Sequence, residues 1–138
     1  MRRCYLTGVL TGEDLARAYA NMDLFVFPSK TDTFGNVVLE ALSCGAPALV
    51  TDEGGPQFIV KDGESGYVCR DNAAFTERIL SLKQSPETLA RMSSAARVRA
   101  EGMSWDSIFE SVYRAYKEAF QPSLRLRIGL QTKLPAGV

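Results

Sequence analysis

The sequence predicts an α/β fold in which a parallel sheet is joined by crossover helices and followed by a helical C-terminal segment. Two observations carry this expectation. Short apolar runs alternate with helix-period segments through the first half of the chain, the pattern of parallel strands and their crossovers. From about residue 73 onward the periodicity is helical. With 138 residues, 46% of them apolar, the chain is long enough for one domain with a real core and short for two.

The elements follow in order. "RRCYLTG" (Arg2–Gly8) reads as a short strand. "TGEDLARAYANM" follows as a helix with Thr11 as N-cap and Asp14 three residues on, a capping-box arrangement, and with Leu15, Ala18, Tyr19 and Met22 as its apolar stripe. "DLFVFPS" is a continuous apolar run ended by Pro28, as in a parallel strand buried on both faces. After the loop "SKTDTFG" comes a helix from about Gly35 to Cys44, closed by Gly45. "APALVT" is the next strand, "DEGGP" turns away from it, a short helix fits Pro56–Val60, "KDGESG" is a turn, and "YVC" is a brief strand. Three helices complete the domain, at about Ala73–Lys83, Pro86–Gly102 and Ser104–Phe120, the last with Ser104 as N-cap. These residues form one unit, 1–121. The tail, 122–138, contains the alternating stretch "LRLRIGL" (Leu124–Leu130), which reads either as a frayed or appended terminus or as an added edge strand.

Composition narrows the chemistry. Sixteen basic and sixteen acidic residues cancel, so overall charge points neither to nucleic acid nor to an anionic membrane surface. Histidine is absent, which removes the commonest metal ligand and general base, and no metal cofactor is expected. Cys4, Cys44 and Cys69 are odd in number, widely spaced and set among apolar residues, as buried reduced thiols are, and point to a cytoplasmic location. No stretch approaches the roughly eighteen apolar residues of a membrane span, and the start of the chain is too short in apolar residues for a signal peptide.

The chemistry-bearing stretch is "PSKTDTFGNVVLEALSCG" (Pro28–Gly45). Ligands of parallel α/β sheets bind beyond the carboxyl ends of the strands, where loops enter helix N-termini. Backbone N–H groups around Phe34, Gly35, Asn36 and Val37 therefore suit a phosphate, and Gly35 permits close approach. Glu40 interrupts a helix whose neighbours Val37, Val38, Leu39, Ala41 and Leu42 are apolar. It lies roughly 7 to 8 Å along the axis from Gly35, about the span of a diphosphate and the start of a ribose, whose two hydroxyls a carboxylate can accept from. Asp32, ahead of the helix, is placed for hydroxyls of a second sugar. Asp32 or Thr33 equally suits a helix cap, Glu40 a charged surface position, and Gly54–Gly55 either a turn or a ligand contact.

Strand, PSxx, acidic residue, x, FG, four residues, Glu-Ala, then small residue, Gly, x, Pro: this order resembles the retaining nucleotide-sugar glycosyltransferases of the GT-B architecture, the group 1 enzymes of the glycogen-synthase and mannosyltransferase type. Asp32 and Glu40 match their acidic-x7-Glu signature, with Asp where Glu is usual. "SCGAPALVTDEGGPQFIVKDGESGYV" resembles the following segment, and Trp105, Tyr113 and Tyr116 its aromatic close. Phe58 departs from the Glu that often follows the GG turn.

The resemblance implies a partial Rossmann-like sheet, the C-terminal half of a donor-binding domain whose strand order is 3-2-1-4-5-6, entered here at the third strand. It implies Asp32 as the catalytic residue on the donor sugar, Phe34, Gly35, Asn36 and Val37 at the sugar and diphosphate, and Glu40 on the ribose. The donor is a nucleotide-diphosphate sugar such as a UDP- or GDP-linked hexose; the acceptor is left open. The acceptor-binding domain and the basic Gly-Arg and Lys-Gly elements of the family have no counterpart here, so the chain alone is expected to bind donor weakly and to turn over slowly or not at all; Lys30 is a nearby substitute or a solvated loop lysine. An open sheet edge predicts a homodimer or coverage by the tail. The alternative is a non-catalytic α/β remnant or association module. A flavodoxin-like receiver lacks the acidic cluster it needs.

Overall fold

The computed structural model describes residues 4–119 of the chain. They contain α1 (Gly12–Ala20), β1 (Phe25–Phe27), α2 (Asn36–Ser43), β2 (Ala48–Thr51), α3 (Pro56–Ile59), β3 (Gly66–Cys69), α4 (Asn72–Gln84), α5 (Pro86–Glu101) and α6 (Trp105–Ala119). The strands form one parallel sheet in the order β1-β2-β3, with Phe25 opposite Ala48 and Ala48 opposite Gly66. This is the predicted α/β architecture. The first compact unit ends at Gly102 and the second begins at Met103.

β2 forms the centre of the first unit because every one of its residues is apolar or hydrogen-bonded. Ala48, Leu49 and Val50 are fully buried, and the Thr51 hydroxyl donates to the Ser29 carbonyl at 2.8 Å. Leu49 packs with Cys69, Phe75, Leu82 and Met92, joining the sheet to α4 and α5. A second cluster, Tyr19 with Ala41 and Ala46, joins α1 to α2 and to Phe25 of β1. Val38, Ala41 and Leu42 bury the inner face of α2, which packs on α5.

Local chemistry sets the helix ends. α2 closes in a Schellman motif: the Gly45 N–H donates to the Leu42 carbonyl and the Ala46 N–H to the Ala41 carbonyl, both at 2.9 Å, with Gly45 left-handed at φ 81°. Asp71 caps α4 by accepting from the Ala74 N–H at 2.8 Å. At the carboxyl end of α3, Arg99 of α5 donates Nε to the Ile59 carbonyl and Nη2 to the Phe58 carbonyl, each at 2.9 Å. The second unit is α6, where the Ser104 hydroxyl accepts from the Ser107 N–H at 3.3 Å, as predicted for its N-cap. Its apolar residues recur at 105, 108, 109, 112, 113 and 116, and the Trp105 and Phe109 rings meet one turn apart, tilted by 32° with centroids 6.1 Å apart.

Four expectations are corrected. Residues 4–8 of the predicted first strand are not a strand: no neighbouring strand among the described residues supplies a ladder, and Tyr5 and Leu6 are exposed. The next strand is Phe25–Phe27, an edge strand with Val26 exposed, and is not buried on both faces. Thr11 does occupy the N-cap of α1, yet its side chain makes no capping hydrogen bond. Of the three cysteines Cys69 is buried, Cys44 half-buried and Cys4 exposed. The stretch Leu124–Leu130 lies outside the described residues.

Candidate functional site

The loop Ser29–Gly35 leaves the carboxyl end of β1 and enters α2. Asp32 shapes it: its Oδ1 accepts from the Phe34 N–H at 3.0 Å and the Gly35 N–H at 2.6 Å, an Asx turn closed by both amides. Gly35 then takes the left-handed conformation at φ 90° as N-cap of α2. A Cβ there would stand 3.0 Å from Pro56 Cγ and 3.1 Å from Ile59 Cδ1, so glycine also lets the head of α2 pack on α3.

A second loop buttresses the first. The Gly55 N–H donates to the Asp32 carbonyl at 3.0 Å. A Cβ on Gly55 would collide with the Thr33 carbonyl, and one on Gly54 would lie 2.5 Å from the Asp32 carbonyl oxygen. Neither glycine is merely a turn residue: the pair lets two backbones touch. Lys30 Nζ meets Glu53 Oε1 at 2.7 Å, and Glu53 holds the Lys30 ammonium above its ordinary pKa. Lys30 is thereby tied to the second loop.

Asp32, Phe34, Gly35 and Asn36 are thus gathered at the head of α2. With the Phe34 and Gly35 N–H groups on Asp32, those of Asn36 and Val37 are the first-turn donors that no hydrogen bond among the described residues engages. Phe34 exposes about half of its surface, 48%. Glu40 stands farther along α2, on the exposed side that faces α1. The Tyr19 hydroxyl donates to Glu40 Oε2 at 3.4 Å. Burial raises the pKa of Tyr19 above its ordinary value, and the Glu40 carboxylate raises it further. Tyr19, Glu40, Gly12, Leu15, Ser43 and Cys44 border a cavity of about 280 Å³, which none of residues 32–37 lines.

The sequence reading placed Tyr19 in the apolar stripe of α1 and did not foresee its hydroxyl contact. The available signal was that a tyrosine at a core position needs a polar partner. Arg99 was missed as well, because its carbonyl partners lie 40 and 41 residues away in the chain. A larger cavity, about 550 Å³, lies between the Lys61–Ser65 turn and α5, at the amino end of β3. Size does not decide the site: ligands of parallel sheets bind at the carboxyl ends of the strands, where residues 29–37 lie.

The motif order at this loop has a family behind it. The model of the glycosyl transferases group 1 matches residues 2–99, and the chain belongs to that family. It is 35% identical over 109 residues to a D-inositol 3-phosphate glycosyltransferase of Gordonia bronchialis, covering 78% of this chain and 24% of that protein. It is 38% identical over 104 residues to the sulfoquinovosyl transferase SQD2 of Arabidopsis thaliana, covering 72% and 20%. The chain therefore spans about a quarter of the length of these relatives. Among solved structures it is similar to a sucrose-phosphate synthase from Thermosynechococcus elongatus, with a TM-score of 0.64 at 28% identity over 77% of this chain and 27% of that one. It also shares the fold of Anabaena HepE in complex with UDP and glucose, with a TM-score of 0.62 at 22% identity over 76% of this chain and 30% of that one.

Proposed function

We propose that the chain is the donor-binding part of a retaining glycosyltransferase that uses a nucleotide-diphosphate sugar. The observation that carries the reading is the arrangement along α2: two free N–H groups, Asn36 and Val37, at its positive end and the carboxylate of Glu40 farther along the same rigid element. The diphosphate lies at the head of the helix, beside the backbone of Phe34, Gly35, Asn36 and Val37. Glu40 accepts from the ribose hydroxyls. Asp32, with Oδ1 held by two amides, keeps Oδ2 for hydroxyls of the donor sugar.

The reaction breaks the bond between the anomeric carbon and the diphosphate oxygen, and the acceptor oxygen bonds to that carbon on the same face. The electron pair leaves with the nucleotide diphosphate, and the proton of the acceptor hydroxyl passes to the departing diphosphate oxygen. Donors fixed at the head of α2 meet the charge as it develops, without reorganising. UDP is the leading nucleotide, because structures of this fold in complex with UDP are among those the chain is similar to. Titration of the chain with UDP, GDP and ADP tests the reading. Saturable binding of UDP supports it, and no binding of any of the three at millimolar ligand overturns it.

The sheet carries a separate proposal. Among the described residues β1 pairs only with β2, and its outer edge bears no ladder. A second copy of the chain covers that edge, as exposed apolar edges invite pairing.

A further inference from the structure

We propose that Tyr19 is a positioning residue that orients Glu40 for the ribose, an inference that rests on the donor reading above. Tyr19 is 6% exposed, and its ring is fixed from the side by Phe25 of β1, edge-on with centroids 5.6 Å apart. Phe25 in turn stacks on Phe27, at 5.8 Å, the last residue of the strand before the site loop. The tyrosine hydroxyl therefore occupies a place set by the sheet and not by its own rotamer freedom.

From that place the hydroxyl reaches one side-chain partner among the described residues, Glu40 Oε2. Glu40 stands on the exposed side of α2 and makes no ion pair and no other side-chain hydrogen bond among those residues. Ordering a free glutamate when ligand arrives costs side-chain entropy. A donor on Oε2 removes part of that cost in advance and leaves Oε1 and the second lone pair of Oε2 for the ribose diol. At 3.4 Å the contact is longer than a fully formed O–H···O bond. Hydrogen bonds of this kind tighten when ligand completes the site.

The test is Tyr19→Phe, which keeps the ring and deletes the hydroxyl. UDP and 2′-deoxy-UDP are titrated into the wild-type chain, Tyr19→Phe and Glu40→Ala, with a thermal melt of each. The ratio of the two affinities reads the ribose contact; a merely structural tie between α1 and α2 would move the melt and leave the ratio alone. Expected for Tyr19→Phe is UDP binding weakened about threefold to tenfold, 2′-deoxy-UDP weakened less, and a melting temperature close to wild type. If Glu40→Ala weakens UDP but Tyr19→Phe keeps the wild-type ratio, the positioning role is wrong and the donor reading survives. If Glu40→Ala binds UDP as the wild type does, or the wild-type chain binds none of UDP, GDP and ADP, the donor reading fails and takes this inference with it.

Discussion

At the residue scale, Asp32 in the site loop and Glu40 on α2 are two carboxylates with unlike surroundings. Asp32 is held by backbone amides, so part of what it does is structural. Asp32→Ala should destabilise the chain by about 1 kcal/mol, the size of a lost cap, whereas Asp32→Asn, which keeps Oδ1, should unfold near the wild-type urea midpoint. Equal losses in the two variants would show that charge and not the Asx turn matters there. Glu40 was legible because a charge in an apolar helix needs a reason; the contact from Tyr19 was not, because spacing alone reports a stripe and not a hydroxyl. Cysteines show the same limit. Burial raises the pKa of Cys69, so at pH 8 it stays a thiol and resists alkylation, while exposed Cys4 reacts. Mass spectrometry after a timed alkylation reads this directly, and equal labelling of Cys4 and Cys69 would contradict the packing around Leu49.

At the scale of elements, periodicity found every helix and strand of the folded core and missed only what depends on neighbours. "APALVT" is apolar without interruption and became the buried central strand, β2. "RRCYLTG" has the composition of a strand, but a parallel strand exists only beside another, and residues 4–8 have none among the described residues. The Gly54–Gly55 pair was read as a turn or a ligand contact, and the structure adds a third role, the close passage of one loop against another. Gly55→Ala should therefore destabilise by about 2 kcal/mol through the clash with the Thr33 carbonyl. Chemical denaturation checks it; a variant as stable as wild type would mean that the two loops part at no cost.

At the scale of the whole molecule, the described residues form a three-stranded parallel sheet with helices, a fold shared with the sucrose-phosphate synthase from Thermosynechococcus elongatus, and the order of residues from Pro28 to Pro47 already pointed to an α/β glycosyltransferase fold. The chain covers about a quarter of the length of its relatives. The proposed pairing of the β1 edge, which is unpaired among the described residues, predicts self-association, visible by sedimentation velocity as a dimer that grows with concentration. A single monomeric species at every concentration would refute the edge pairing. The central claim is that the α2 segment holds a nucleotide through Glu40, and calorimetric titration of UDP into the wild-type chain and Glu40→Ala tests it most directly. Expected is saturable binding that alanine weakens by about tenfold or more, as for one lost hydrogen bond to a charged group, with the melting temperature retained. Equal UDP affinity in the two proteins would contradict it.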